Sequence, residues 1–141
     1  MTGTPISDGA HILIVEDDEI DAEAVRRAFR RHNLANHISH ARYGTDALNM
    51  MRGRDELRNP VVLIVDVNMP QMNGIEFLQN LRQDPLLARS TVFMLSTSRR
   101  EADIAAAYQL GVGGYFLKDN VDEFVGMLGV YLHINKFMQD R

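Results

Sequence analysis

The chain has 141 residues, a formal net charge of −4 at pH 7 and no cysteine. The length fits a single domain, and the 45% of hydrophobic residues supply enough apolar side chains for a sizeable core. The acidic balance argues against a nucleic-acid partner, which needs clustered Lys and Arg, and the lack of cysteine excludes disulfides, thiolate metal sites and cysteine nucleophiles.

The N-terminal segment 1–10 contains Thr, Gly, Pro and Ser and lacks the apolar stretch of a signal peptide. No run in the sequence approaches the roughly 18 apolar residues of a membrane-spanning helix. We therefore expect a flexible tail over 1–10, one domain over 11–141 and no membrane partner. A reducing, cytoplasmic location is compatible with the lack of cysteine.

Short apolar runs alternate with amphipathic segments along the rest of the chain. Aliphatic and β-branched runs predict five strands, at 11–15, 37–41, 61–65, 91–95 and 115–117. Helical spacing of apolar residues predicts five helices, at 19–32, 46–52, 75–83, between Ser98 and Gly111, and at 121–138. The alternation predicts an α/β fold of the (βα)5 type, with a doubly wound parallel sheet covered on both faces.

Local signals predict several helix boundaries and buried faces. Ser98 and Glu101 form a capping-box pattern at the start of the fourth helix, and Gly111 is placed to close it. Asn120 and Glu123 give a similar pattern before the last helix. The buried stripe predicted for the first helix is Ile20, Ala24, Ala28 and Phe29.

Acidic residues follow two of the predicted strands. Glu16, Asp17 and Asp18 come directly after the first strand, and Asp66 comes directly after the third. In such sheets ligands bind beyond the carboxyl ends of the strands, so these side chains are expected to converge. This convergence requires that the first and third strands be neighbours in the sheet. Clustered carboxylates are the hard oxygen ligands that Mg²⁺ prefers. The sequence therefore predicts a magnesium site.

Two further polar residues end strands at the same edge. Ser96 follows the fourth strand and Lys118 follows the fifth, and a hydroxyl and an ammonium both suit a phosphate group. A carboxylate nucleophile, a metal, a hydroxyl and a cation are the parts that phosphoryl transfer needs. Each alone has an ordinary alternative: Asp18 as a helix N-cap, Lys118 as a surface lysine, Ser96 as a turn residue. Complementary groups at four strand ends favour the functional interpretation.

The segment Asp66-Val-Asn-Met-Pro70, followed by Gly74, resembles the phosphoacceptor loop of bacterial response-regulator receiver domains, and the resemblance extends over nearly the whole chain. It implies a flavodoxin-like sheet with strand order 2-1-3-4-5. It also implies that Asp66 forms an acyl phosphate and that the backbone carbonyl of Asn68 is a metal ligand.

The same resemblance assigns roles to the other strand-end residues. Glu16 and Asp17 match the acidic pair of the family, with Asp17 as a direct metal ligand and Glu16 acting directly or through water. Ser96 matches the Ser/Thr that hydrogen-bonds the phosphoryl group when the domain switches. Lys118 matches the basic position, and Tyr115 matches the switch aromatic.

One position departs from the family pattern. Response regulators usually follow their lysine with proline, whereas Lys118 is followed here by Asp119. A cis peptide bond without proline costs about 2.5 to 4 kcal/mol relative to trans. We therefore expect a trans bond and a differently shaped loop, which puts the usual orientation of Lys118 in doubt.

Several segments resemble the small single-domain regulators that serve phytochrome-type histidine kinases, namely 96–98, 103–104, 107–108 and 110–111. This resemblance implies a sensor histidine kinase as partner. The end of the first helix is strongly basic and is either a solvated face or a surface for an acidic kinase partner: Arg26, Arg27, Arg30, Arg31 and His32.

The last predicted helix, 121–138, carries more apolar residues than one packing face needs. One stripe covers the sheet: Val121, Phe124, Val125, Leu128 and Leu132. A second set remains: Met127, Val130, Tyr131, Ile134 and Phe137. Gly126 and Gly129 lie beside it and each cost about 1 kcal/mol in a helix interior. These features favour a homodimer through this helix.

The sequence thus predicts a single-domain response regulator that receives a phosphoryl group from a histidine kinase on Asp66 in a Mg²⁺-dependent reaction, and that acts as a signalling domain rather than an enzyme. The alternative is a pseudo-receiver that keeps the fold as an unphosphorylated interaction module. An aspartyl-phosphate phosphohydrolase is disfavoured, because its second Asp would stand at the position of Asn68.

Overall fold

A computed structural model describes residues 9–58 and 60–139, with side chains described as far as residue 134. The strands are β1 (His11–Val15), β2 (Ile38–Ala41), β3 (Val61–Val65), β4 (Thr91–Ser96) and β5 (Gly114–Leu117). The helices are α1 (Glu19–Arg31), α2 (Gly44–Gly53), α3 (Gly74–Gln83), α4 (Glu101–Gln109) and α5 (Val121–Gln139). Short 3₁₀ turns cover Asp55–Leu57 and Lys118–Asn120. Most of the predicted tail, 1–10, lies outside the described residues.

The five strands form one parallel sheet in the order β2-β1-β3-β4-β5, which confirms the predicted order. Val15 at the end of β1 is paired with Val65 at the end of β3, and Ser96 at the end of β4 is paired with Leu117 at the end of β5. The carboxyl ends of all these strands therefore meet at one edge, where the strand order reverses and ligands bind in this class of sheet.

Hydrophobic clusters cover both faces of the sheet, because alternate residues of a strand point to opposite sides. One cluster joins the sheet to α1 and α5 through Ile12, Ile14, Val62 and Ile64. The other joins it to α2, α3 and α4 through Leu13, Val15, Leu63 and Val65. Strands buried on both faces are apolar throughout, which is why they were recognisable as continuous apolar runs.

Helix α1 begins one residue after Asp18, whose carboxylate accepts hydrogen bonds from the backbone N–H groups of Ile20 and Asp21. Asp18 is therefore the N-cap of α1, which is the ordinary role that the sequence analysis gave as its alternative. The predicted stripe was wrong at Ile20, which is 81% exposed in the first turn. The buried face is shifted along the helix and consists of Ala22, Val25, Ala28 and Phe29.

The capping box predicted at Ser98 is absent from the structure. Helix α4 begins at Glu101 with Arg100 as N-cap, and the Ser98 hydroxyl instead donates to the Asp103 carboxylate at 2.7 Å. Ser98 lies two residues before the N-cap, too early to cap the first turn. A capping box does occur at the start of α3, between Asn73 and Glu76. The closing role of Gly111 is confirmed by its φ of +79°.

Helix α5 packs on the sheet through Phe124, Val125 and Leu128, which are completely buried. Two residues of the supposed surplus set, Met127 and Tyr131, also pack against this core.

The glycines of α5 have an explanation within the chain. A Cβ on Gly126 would lie 3.3 Å from the His32 ring, and one on Gly129 would lie 3.3 Å from Leu34. The interpretation of these glycines as a contact with another chain was therefore wrong. Val130 and Ile134 remain 60% and 52% exposed, and the side chain of Phe137 lies outside the described ones. Within the described residues no helix combines the length and apolarity that crossing a membrane requires.

Arg82 near the end of α3 joins three segments of the chain. Its guanidinium donates to the backbone carbonyls of Leu110 and Gly111 after α4, at 2.7 and 3.2 Å. It also donates to the carbonyls of Ala88 and Ser90 before β4, at 2.9 and 2.7 Å. Burial lowers the pKa of this arginine from its ordinary value.

Candidate functional site

Three carboxylates converge where the central strands end. Glu16 and Asp17 follow β1 and Asp66 follows β3, and one oxygen from each lies within 4.8 Å of the others. The neighbouring strands bring them together: the backbone N–H of Asp66 donates to the carbonyl of Val15 at 3.1 Å. The structure thus brings together three of the four predicted metal-binding residues.

The ammonium of Lys118 lies against this carboxylate group. Its Nζ is 2.7 Å from Glu16 Oε1, 3.0 Å from Asp66 Oδ2 and 2.7 Å from Asp21 Oδ2. Glu16 and Asp66 are only 5% and 4% exposed, so the lysine compensates charges that water scarcely reaches. Lys118 is thus directed at Asp66 although Asp119 replaces the usual proline.

The electrostatics of the site leave negative charge in excess. Burial raises the pKa of Glu16 to about 7, with the neighbouring Asp66 adding to the rise and Lys118 opposing it. Burial alone would lower the pKa of Lys118, but hydrogen bonds to Asp21 and Glu16 outweigh it and raise the pKa above its ordinary value. A buried cluster of hard oxygen donors that one ammonium does not neutralise fits a divalent cation.

The loop between β1 and α1 is held from the end of β2. The His40 ring nitrogen Nε2 lies 2.6 Å from the carbonyl oxygen of Glu16, to which it must donate, because a carbonyl only accepts. Arg42 donates to the carbonyl of Asp17 at 3.3 Å. Together they fix the backbone of both acidic residues.

The loop after Asp66 is closed by a tight backbone contact. The N–H of Gly74 donates to the carbonyl of Val67 at 2.8 Å. A Cβ at Gly74 would lie 2.2 Å from the carbonyl oxygen of Asp66, so only glycine fits. Asn68 lies in this loop, with its N–H 3.3 Å from Asp66 Oδ1 and its side-chain amide 3.4 Å from Thr97 Oγ1.

Ser96 and Tyr115 are linked through the loop that follows β4. Ser96 is completely buried at the end of β4, and its hydroxyl accepts from the N–H of Ser98 at 3.2 Å. The hydroxyl of Tyr115 donates to the carbonyl of Ser98 at 2.8 Å. The two predicted switch residues therefore bond to the same loop residue, Ser96 at its N–H and Tyr115 at its carbonyl.

Asp119 forms an exposed ion pair with Arg99 at 3.2 Å, and thereby connects the loop after β5 to the loop after β4. The 3₁₀ turn Lys118–Asn120 gives this loop its shape.

The basic end of α1 is largely paired within the chain. Glu23 contacts Arg26, Arg27 and Arg30, and Asp122 of α5 contacts Arg31 and His32. These partners leave less free positive charge than the sequence indicated, which weakens its interpretation as a docking surface.

Sequence reasoning missed Asp21, His40 and Arg42. Asp21 is an acid in the first turn of α1, a position that the helix dipole alone favours, so no pattern in the sequence marked it as part of the site. His40 and Arg42 flank the end of β2, where no pattern in the sequence distinguished them from ordinary strand residues.

The sequence matches the family described as response regulator receiver domain over residues 12–128. Response regulator Rcp1 of Synechocystis sp. is 32% identical over 110 residues, which cover 76% of this chain and 75% of that protein. The crystal structure of the Mn(2+)-bound form of Rcp1 has a TM-score of 0.74 and 27% identity, covering 87% of this chain and 94% of that one.

The crystal structure of the phosphorylated cyanobacterial phytochrome response regulator RcpA is also similar. Its TM-score is 0.75 at 25% identity, and the match covers 88% of this chain and 94% of that chain. The resemblance to phytochrome response regulators predicted from the sequence is confirmed. The family match over residues 12–128, the 32% identity to Rcp1 and the order of the strands agree. The chain belongs to the response regulator receiver domain family.

Proposed function

We propose that this receiver domain accepts a phosphoryl group from a sensor histidine kinase onto Asp66, in a Mg²⁺-dependent reaction. The observation that carries the proposal is the setting of Asp66 itself. Its carboxylate is 4% exposed, belongs to the three-carboxylate group and lies 3.0 Å from the ammonium of Lys118. A nucleophile, a cation and a metal-binding group thus meet at one position.

The proposed ligands of Mg²⁺ are the carboxylates of Glu16, Asp17 and Asp66 and the backbone carbonyl of Asn68, with Glu16 acting directly or through water. Hard oxygen donors and the excess of negative charge support this choice, as does the Mn(2+)-bound form of the similar Rcp1. When bound, the metal would neutralise charge on the phosphoryl oxygens.

The chain's own residues supply the remaining steps. A carboxylate oxygen of Asp66 attacks phosphorus in line and forms the O–P bond, while the P–N bond of the phosphohistidine breaks and its electron pair leaves with the imidazole. Lys118 offsets the negative charge of the transferred group. In the proposed function, the domain assists its own phosphorylation and dephosphorylation. It acts as a signalling domain and does not turn over a separate substrate.

The proposed conformational switch follows from the contacts of Ser96. If the Ser96 side chain rotates so that its oxygen moves from Ser98 towards the phosphoryl group, the N–H of Ser98 loses its acceptor. Tyr115 is bonded to the carbonyl of the same residue, so its ring follows the loop. The change would reach the surface formed by α4, β5 and α5.

Measurement of the intact mass after incubation with a small phosphodonor and Mg²⁺ tests the proposal without knowledge of the kinase. A gain of one phosphoryl mass that EDTA prevents is expected. A protein that folds and binds Mg²⁺ but gains no mass would instead be a pseudo-receiver, the second candidate that the receiver fold allows.

Replacement of Asp17 with Asn is expected to weaken Mg²⁺ binding about tenfold or more, because a hard anionic ligand is lost. Titration calorimetry measures the affinity. The matched control is Asp18→Asn, since asparagine preserves the N-cap and Asp18 lies outside the carboxylate group. Equal affinities of the Asp17 variant and the wild type would reject Asp17 as a ligand.

The similarity to phytochrome response regulators favours a phytochrome-type histidine kinase as the phosphodonor. Ile20, 81% exposed one turn from the acidic residues, offers an apolar contact for it. Such a donor places the reaction in the cytoplasm. The net charge of −4 supports a protein partner rather than a nucleic acid.

A homodimer through α5 is part of the proposal and now rests on Val130 and Ile134, an exposed apolar pair one helical turn apart. The double variant Val130→Ser, Ile134→Gln is expected to sediment as a monomer at tens of micromolar, where the wild type sediments as a dimer. Leu86→Gln, at an exposed leucine away from α5, is the matched control and should remain a dimer. A monomeric wild type, phosphorylated and unphosphorylated, would exclude the dimer.

A further inference from the structure

The three anionic partners of Lys118 differ in one respect. Glu16 and Asp66 belong to the carboxylate group that suits a metal, whereas Asp21 does not. Asp21 lies in the first turn of α1 and, together with Glu16 and Lys118, lines a small cavity between α1, β4 and α5. Its contact with the ammonium, at 2.7 Å, is as short as that of Glu16.

A bound divalent cation and Lys118 compete for the same two carboxylates. The ion would draw the charge of Glu16 and Asp66 towards itself and would repel the ammonium nearby. Among the described residues, Asp21 is the one anion in contact with Lys118 that the ion would leave available. The contact between Asp21 and the ammonium is already made at 2.7 Å, so the lysine can keep this partner without moving.

We propose that Asp21 is a positioning residue that holds the charged side chain of Lys118 beside Asp66 while the metal occupies the acidic group. This inference rests on the proposed function, since it concerns the same site. It assigns Asp21 to Lys118 rather than to the metal. Without Asp21, the partners that the described part of the chain leaves to the lysine are Glu16 and Asp66, for which it competes with the ion.

A double-mutant cycle on the unphosphorylated protein tests this assignment, with Mg²⁺ affinity measured by titration calorimetry. Asp21→Asn is expected to weaken Mg²⁺ binding about fivefold in the wild-type background. In a Lys118→Met background the same substitution should change the affinity less than about twofold, because the competitor is absent. Asp21→Glu, which keeps the charge, should restore most of the affinity.

The variant Glu19→Gln is the control for the general effect of losing a negative charge near the site. Glu19 lies in the same first turn but pairs with His40 rather than with Lys118, and its neutralisation should leave the affinity within about twofold of the wild type. Two results would overturn the inference: an equal loss in both Lys118 backgrounds, which would mean that Asp21 acts on the ion directly, or no loss in the wild type. Both are readable without a phosphodonor, so they are distinct from a failure of Asp66 to be phosphorylated.

Discussion

The variant Asp66→Asn is expected to gain no phosphoryl mass under conditions in which the wild type gains one. Asparagine has nearly the same shape, so it fits the buried position at the end of β3, but its amide is not a nucleophile towards phosphorus. Intact-mass spectrometry after incubation with a small phosphodonor and Mg²⁺ measures the difference.

The control for this result is Asp46→Asn, at an exposed acid in the first turn of α2 that lies outside the three-carboxylate group. It should be labelled like the wild type. Undiminished labelling of the Asp66 variant would show that another residue is the acceptor, and peptide mapping of the labelled protein would identify it.

Gly74→Ala is expected to cause the largest loss of stability among single-methyl additions. The new Cβ would lie 2.2 Å from the carbonyl oxygen of Asp66 and 2.9 Å from the Cα of Val67, both of which are backbone atoms. Neither atom can turn away as a flexible side chain would, so the loop must shift. We expect the free energy of unfolding to fall by about 3 kcal/mol, measured by urea denaturation.

Gly53→Ala is the matched control, because no described residue lies within 4 Å of the Cβ that it would add at the end of α2. Alanine favours a helix over glycine by up to about 1 kcal/mol, so this variant should unfold at the same or a higher urea concentration. If Gly74→Ala and Gly53→Ala unfolded at the same urea concentration, Gly74 would not approach the Asp66 carbonyl as closely as described.

The strands and the polar residues that follow them were predictable because both depend on local sequence. Buried parallel strands form continuous apolar runs, and the residue after each run lies at a known edge of the sheet. Asp66 and Lys118 were therefore assigned to one site although 52 positions separate them in the sequence. The convergence needed only the order of the strands, which the family resemblance supplied.

The missed features depend on contacts that no local pattern specifies. Asp21 contacts Lys118 although 97 positions separate the two residues in the sequence. Gly126 and Gly129 looked like space for another chain, but His32 and Leu34 of this chain occupy that space. The rotation of a helix about its own axis decides which of its side chains are exposed and which residues they contact. The number of apolar residues in the helix does not determine that rotation.

The carbonyl contacts of Arg82 have a consequence for how the domain fluctuates. One planar guanidinium joins the end of α3, the segment before β4 and the turn after α4, so we expect the opening of any one of these parts to break contacts with the other two. Local unfolding on this side should therefore occur as one cooperative unit, with amide exchange of the three segments sharing a single opening free energy.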